Sequence, residues 1–177
     1  MCSASTSTAC GPRCSRTEMA FGLRRPFQPK GEDRFIVNIG TRERAVVRAV
    51  CEDLLGVLEN PDAAPLLRRV YPVAHVDDAA IDSAYQEMVH SDLVSSRRDA
   101  LERIVATVDS RELDGEQLEA WMIGLNTVRL VLGTRLDVSE DSAPELEPDD
   151  PDLPAWAVYE FLGGMIESIV RSSFGTL

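Results

Sequence analysis

Apolar residues in the second half of this chain return every three or four positions, a spacing that forces it toward packed helices. Leu118, Trp121, Leu125, Val128, Leu132 and Leu136 fall on one helical face, a stripe that has to be buried against other elements. Asp114 stands before them as a side-chain cap. A longer stretch repeats the pattern from Ile81 through Tyr85, Met88, Val89, Leu93, Leu101, Ile104 and Val105 to Val108, opening at Asp77 or Asp78 and free to bend at Ser95-Ser96. Val47, Cys51, Leu54 and Leu58 mark an earlier helix, capped by Thr41 and ended by Asn60-Pro61. Glu43 sits one position early for a reciprocal box with that cap. A short segment with Leu66, Leu67 and Val70 stops at Pro72. The last helix starts near Pro154 and carries Val158, Leu162, Met165, Ile166 and Ile169 to about Phe174, with Gly163-Gly164 marking close helix packing.

Strand signals are few. Met19 to Leu23 and Arg34 to Ile39 are short apolar runs separated by Pro, Lys and Gly, which predicts a small β-hairpin leading into the helices. The expected fold class is therefore all-α, a bundle of about five helices with a short N-terminal β-hairpin and a disordered tail. Residues 1–17, rich in Ser, Thr and Gly with no apolar period, form that tail. Residues 18–177 form a single helical domain, interrupted by a solvated acidic loop at 137–152 that holds eight acids and three prolines.

Charge narrows the function. The 177 residues carry a net charge of −12. Residues 1–33 hold five basic and three acidic side chains, so the acidity belongs to the body. DNA affinity depends on neutralising phosphates, so direct nucleic-acid binding by this body is disfavoured and a basic protein partner suits it better. The best basic run, Arg97-Arg98 to Arg103, is broken by Asp99 and Glu102. No stretch of eighteen apolar residues is present and the start lacks an apolar leader core, so the expectation is a cytoplasmic protein without a membrane span.

The thiols carry the most chemistry. Cys10 and Cys14 flank Gly11-Pro12-Arg13, with Arg16 nearby, while Cys2 lies upstream and Cys51 alone falls in the body. Four extended steps span about 13 Å, so a disulfide requires the chain to turn, and Gly-Pro is a turn-forming pair. Two arginines favour the reactive thiolate. Oxidation would run through a sulfenic acid at one cysteine, resolved by the other. Two other readings stand beside this one: incidental cysteines in a leader, or a zinc site completed by His75, His90 or Cys51. The spacings match no common zinc motif, and no metal or other cofactor is expected. Cys51, on an apolar helical face, reads as core packing, with a role as an alternative resolving thiol. His75 and His90 read as ordinary surface or packing residues. Asn126 and Arg129 are helical neighbours suited to a structural network. Arg129, together with Arg68 and Arg69, is also a candidate for contacting a protein partner.

Three stretches, Arg68 to Ala74, Trp121 to Leu136 and Tyr159 to Gly163, resemble an actinobacterial family of AosR-like proteins, long known only as a domain of unknown function. The resemblance covers roughly residues 19–177, and Asn126 to Leu136 is its most specific part. It implies transcription regulation in the oxidative-stress response and brings no catalytic residues with it. The expectation is a non-enzymatic, redox-responsive regulator that acts by protein contact, on a sigma factor or RNA polymerase, through a thiol switch. A redox-independent helical adaptor is the alternative, a direct DNA-binding repressor a weaker one. A homodimer is an expectation from helical proteins generally.

Overall fold

The structure, a computed structural model, describes residues 25–60, 63–70, 79–139 and 149–174, with the side chains of 79–92 and 174 outside the description. The elements in chain order are β1 (Phe27–Pro29), β2 (Arg34–Val37), α1 (Thr41–Leu58), α2 (Ala64–Leu67), α3 (Ala79–Thr107), β3 (Glu112–Asp114), α4 (Gly115–Arg135) and α5 (Leu153–Phe174). Among the described residues five helices surround one core, as the apolar spacing predicts. None of the described helices is long and apolar enough to cross a membrane.

α4 runs through the middle, against α3 on one side and α5 on another. Its Trp121 is fully buried, meets Phe27 edge-on at 5.6 Å, and donates its indole N–H to Thr107 Oγ1 at 2.9 Å. Leu101, Ile104 and Val108 of the α3 segment, Leu125 of α4, Leu162, Met165 and Ile169 of α5, and Val47, Cys51 and Leu54 of α1 complete the core. At Gly124 an added Cβ would come within 2.5 Å of Ile104 Cδ1, so α3 and α4 approach closely there.

The helix starts are set by local polar bonds. α4 has the full reciprocal box: Gln117 N donates to Asp114 Oδ1 at 2.8 Å, and Asp114 N to Gln117 Oε1 at 3.0 Å. α1 corrects the expected cap. Its N-cap is Gly40, in extended conformation (φ −76°, ψ 169°), not Thr41. Glu43 thereby becomes the third helical residue and accepts the Gly40 N–H. α3 continues through Ser95-Ser96 without a break.

The hairpin is present with a different first strand. β1 pairs antiparallel with β2, Phe27 opposite Val37, across a turn where Gly31 takes φ +88°. The residues first expected to pair, 19–23, lie outside the described residues. β3 adds a third strand that the sequence did not announce, with Leu113 opposite Phe35. α5 closes the outer edge of β1: Phe27 N donates to Ser168 Oγ at 3.1 Å, and Ser172 Oγ donates to Phe27 O at 2.8 Å. An open strand edge invites foreign pairing, and two hydroxyls occupy this one.

Arg44 ties sheet and helices together. Its guanidinium donates to the carbonyls of Val37, Ile39, Val108 and Ser110, the last two lying just beyond the end of α3. Arg48 Nη1 reaches Val105 O at 3.5 Å and Arg48 Nη2 reaches Asp109 Oδ2 at 2.7 Å. Carbonyls at a helix C-terminus lack intrahelical partners and favour cations, so α1 supplies the cap that α3 needs.

Candidate functional site

The three stretches singled out by resemblance meet where the end of α4 lies against the start of α5. α4 ends in a double turn closure: Val138 N donates to Gly133 O at 2.9 Å and Asp137 N to Thr134 O at 3.3 Å, with Asp137 left-handed at φ +48°. This is the Schellman arrangement, in which glycine usually holds the left-handed position. Arg69, from the turn after α2, locks it. Its Nη1 donates to Gly133 O at 3.0 Å and its Nη2 to Val138 O at 2.7 Å. Arg68 beside it points at Asp137 Oδ1, 3.5 Å away, both side chains exposed. A pair like that contributes little, which leaves Arg68 free to engage something else.

Gly133 makes room for an aromatic ring. A Cβ there would sit 3.3 Å from Tyr159 Cε2 and 3.4 Å from Arg69 Nη1. Trp156 meets the Tyr159 ring edge-on at 5.6 Å, and the Arg129 guanidinium lies over it with Cζ 4.3 Å from the centroid. A cation over an aromatic face gains roughly 0.5–2 kcal/mol, more when desolvated. Arg129 Nε is sealed from solvent with no hydrogen-bond partner among the described residues, and a Cβ on Gly163 would come within 3.4 Å of it. The Gly163-Gly164 pair expected to admit a close neighbour therefore admits this guanidinium. Asn126 is exposed, and Arg129 turns to α5.

Beyond Arg129 a groove of about 600 Å³ runs along α5, lined by Glu160, Gly163, Ile166, Glu167 and Val170 among others. It combines apolar surface, two carboxylates and two arginines, Arg129 held against a ring and Arg171 paired with Glu167 at 2.5 Å. Among the residues lining it no nucleophile stands beside a base.

The remaining sequence candidates fall elsewhere. Cys51 is fully buried in α1. Burial, reinforced by Glu52, pushes its thiol up to about 12, so it is protonated at neutral pH and poorly reactive. Cys2, Cys10, Cys14 and His75 lie outside the described residues, as does the side chain of His90 on α3. Of the acidic loop, residues 137–139 and 149–152 are described, and Asp152 reaches Arg135 at 3.7 Å. Among the described residues no group of three His, Cys, Asp or Glu side chains is placed to hold a metal ion.

The arginines nominated for a recognition helix are engaged with protein. Arg97 donates to Thr127 Oγ1 at 3.1 Å and to Val70 O at 3.2 Å. Arg98 bonds Glu59 at 2.8 Å and Glu102 at 2.9 Å, which raises its pKa further. Arg103 stands 3.9 Å from Glu116. Sequence reasoning missed two residues of the α4–α5 site, Gly133 and Tyr159. Both sat inside the resembling stretches, but their contact is non-local.

The family model described as a domain of unknown function, DUF2017, matches residues 24–173. Proteins named oxidative stress regulator AosR in Mycobacterium tuberculosis and Mycobacterium bovis are 23% identical, covering 94% of this chain and 98% of theirs. A Mycobacterium leprae protein named putative oxidative stress regulator AosR is 24% identical over the same shares. No solved structure matches the chain.

Proposed function

The chain belongs to the DUF2017 family, and from that membership we propose that it is a regulator of the oxidative-stress response that works by binding protein, without catalysis. The observation that carries this reading is the end-to-end likeness to relatives named oxidative stress regulators, 94% of this chain against 98% of theirs. The convergence of the three resembling stretches on Arg69, Arg129, Gly133 and Tyr159 supports the α4–α5 face as the contact surface. The partner is a component of the transcription machinery, a sigma factor or RNA polymerase.

The thiol switch belongs to the tail. With Cys51 buried and protonated, peroxide sensing falls to Cys10 and Cys14, with Cys2 as the alternative. To act as a switch, their oxidation has to bias two states that bind the partner differently. A redox-independent adaptor is the second reading, favoured by the inaccessibility of the one cysteine in the body. Direct DNA binding is weaker, because Arg97 is bonded into the fold and Arg98 and Arg103 each face carboxylates that offset their charge.

The test is binding of the purified full chain, reduced and peroxide-treated, to purified RNA polymerase and sigma factors of its host. Affinity is expected to change at least tenfold on oxidation and to lose that response in the Cys10→Ser/Cys14→Ser double variant. Arg129→Glu is expected to weaken binding in both states. Binding that ignores peroxide would leave the adaptor, and no binding in either state would overturn both readings.

A further inference from the structure

We propose that the groove along α5 is a two-fold face on which a second copy of this chain docks, α5 lying antiparallel against α5. Leu162, Met165, Ile169 and Ser172 turn that helix inward and are buried. Glu160, Glu167 and Arg171 fall on the opposite side by helical spacing and are all exposed, with half-buried Gly164 between them. The order of charge on this face selects the occupant.

Four charged side chains line the groove, and they alternate in sign along the helix. Glu160 comes first, then Arg129 at the level of Gly163, then Glu167, then Arg171. A two-fold axis brings residue i of one copy to residue j of the other, and j back to i. With the helices antiparallel and the axis midway between Gly164 and Glu167, Glu160 faces Arg171 of the second copy. Glu167 then faces Arg129 of the second copy, and each contact occurs twice. Moving the axis to Gly164 would set Glu160 against Glu167, and a parallel arrangement would set every charge against itself. Charge thus favours one register and penalises its neighbours.

The pair already present within α5, Arg171 to Glu167 at 2.5 Å, is exposed on both sides. Such a pair contributes little, so sharing Arg171 with a second copy forfeits little. Gly163 and Gly164 leave the helix surface bare where Glu167 of the second copy crosses toward Arg129. Ile166 and Val170, the latter 40% exposed, supply apolar surface. A net charge of −12 on each copy opposes association in general. That opposition is weakest on a face whose two carboxylates are balanced by two guanidiniums. Dimer and partner complex would exclude each other on this face, but the dimer does not depend on the partner assigned above.

Sedimentation equilibrium on the reduced full chain tests it by charge swap. The wild type is expected to dimerise with a Kd below about 100 μM. Glu160→Arg and Arg171→Glu, each alone, set like charges across the axis and are expected to raise that Kd at least about tenfold. An equimolar mixture of the two variants is expected to recover a dimer within about threefold of wild-type affinity, since each chain supplies the sign the other lacks. If a reversal perturbs the helices by circular dichroism, Glu160→Gln and Arg171→Gln replace the pair, each expected to weaken the dimer about threefold. A wild type that stays monomeric at that concentration would overturn the proposal. So would a dimer indifferent to these substitutions, or a mixture of the reversed chains that stays monomeric.

Discussion

Suppose the reduced, folded protein is treated with a small alkylating reagent near pH 7.5 and the four thiols are followed separately by peptide mapping. The thiolate is the reacting species, and an ordinary cysteine of pKa near 8.5 is about one-tenth ionised there. Burial holds Cys51 near 12, so about three molecules in a hundred thousand carry its thiolate at that pH. Ionisation alone then slows Cys51 about 3,000-fold relative to an unperturbed thiol. Its full burial adds the requirement that the core open first, which slows it further.

The expected result is no detectable label on Cys51 until denaturant is added. Labelling of Cys51 within tenfold of an unstructured thiol, with the fold intact, would refute the burial argument and return Cys51 to the list of sensors. The same shift sets an alkaline limit. The folded thiol keeps its proton above the ordinary value of 9.0, so the unfolded state ionises first. Stability from this group is complete below about pH 9 and falls by about 1.4 kcal/mol per pH unit from there toward 12. Melts of Cys51→Ala compared with wild type across that range should show the variant losing less.

Two further perturbations probe the frame around the site. Arg44→Met keeps the stem but strands the carbonyls of Val37, Ile39, Val108 and Ser110; at about 1 kcal/mol for each and some rescue by water, the loss should be about 3 kcal/mol. In a domain of this size that lowers Tm by about 6–12 °C, and a drop no larger than that of exposed Arg42→Met would argue against the cap. Asp137→Gly relieves a left-handed residue and loses only the exposed contact to Arg68, so denaturant unfolding should report a gain of about 0.5–1 kcal/mol.

The helices were legible because burial imposes a period. Leu118, Trp121, Leu125 and Val128 are all buried, and Asp114 with Gln117 spells its own cap. At α1 a local preference misled. Thr is the better cap by side chain, but starting at Gly40 lets Glu43 bond back to the N-cap amide while Ile39, just before it, is buried. β3 is three residues long and owes its existence to Phe35 and Ile36, nearly eighty positions away, so no local pattern could reveal it. Arg129 was singled out from its helix, but its partner Tyr159 is thirty residues on. Arg69 is a candidate for partner contact by sequence, and its work on the end of α4 depends on how α2 is seated. The thiols of the tail are argued from sequence alone, since they lie outside the described residues.

The stitch between Phe27 and the serines of α5 has a temporal side. Phe27 leaves the ribosome early, and the residues that receive its amide and carbonyl follow 141 and 145 positions later. At about 5–20 residues per second, that is about 7–30 seconds of translation during which the aromatic anchor of the core has no closing helix. β1 is made well before the helix that secures it, so the body becomes whole only once α5 has been synthesised.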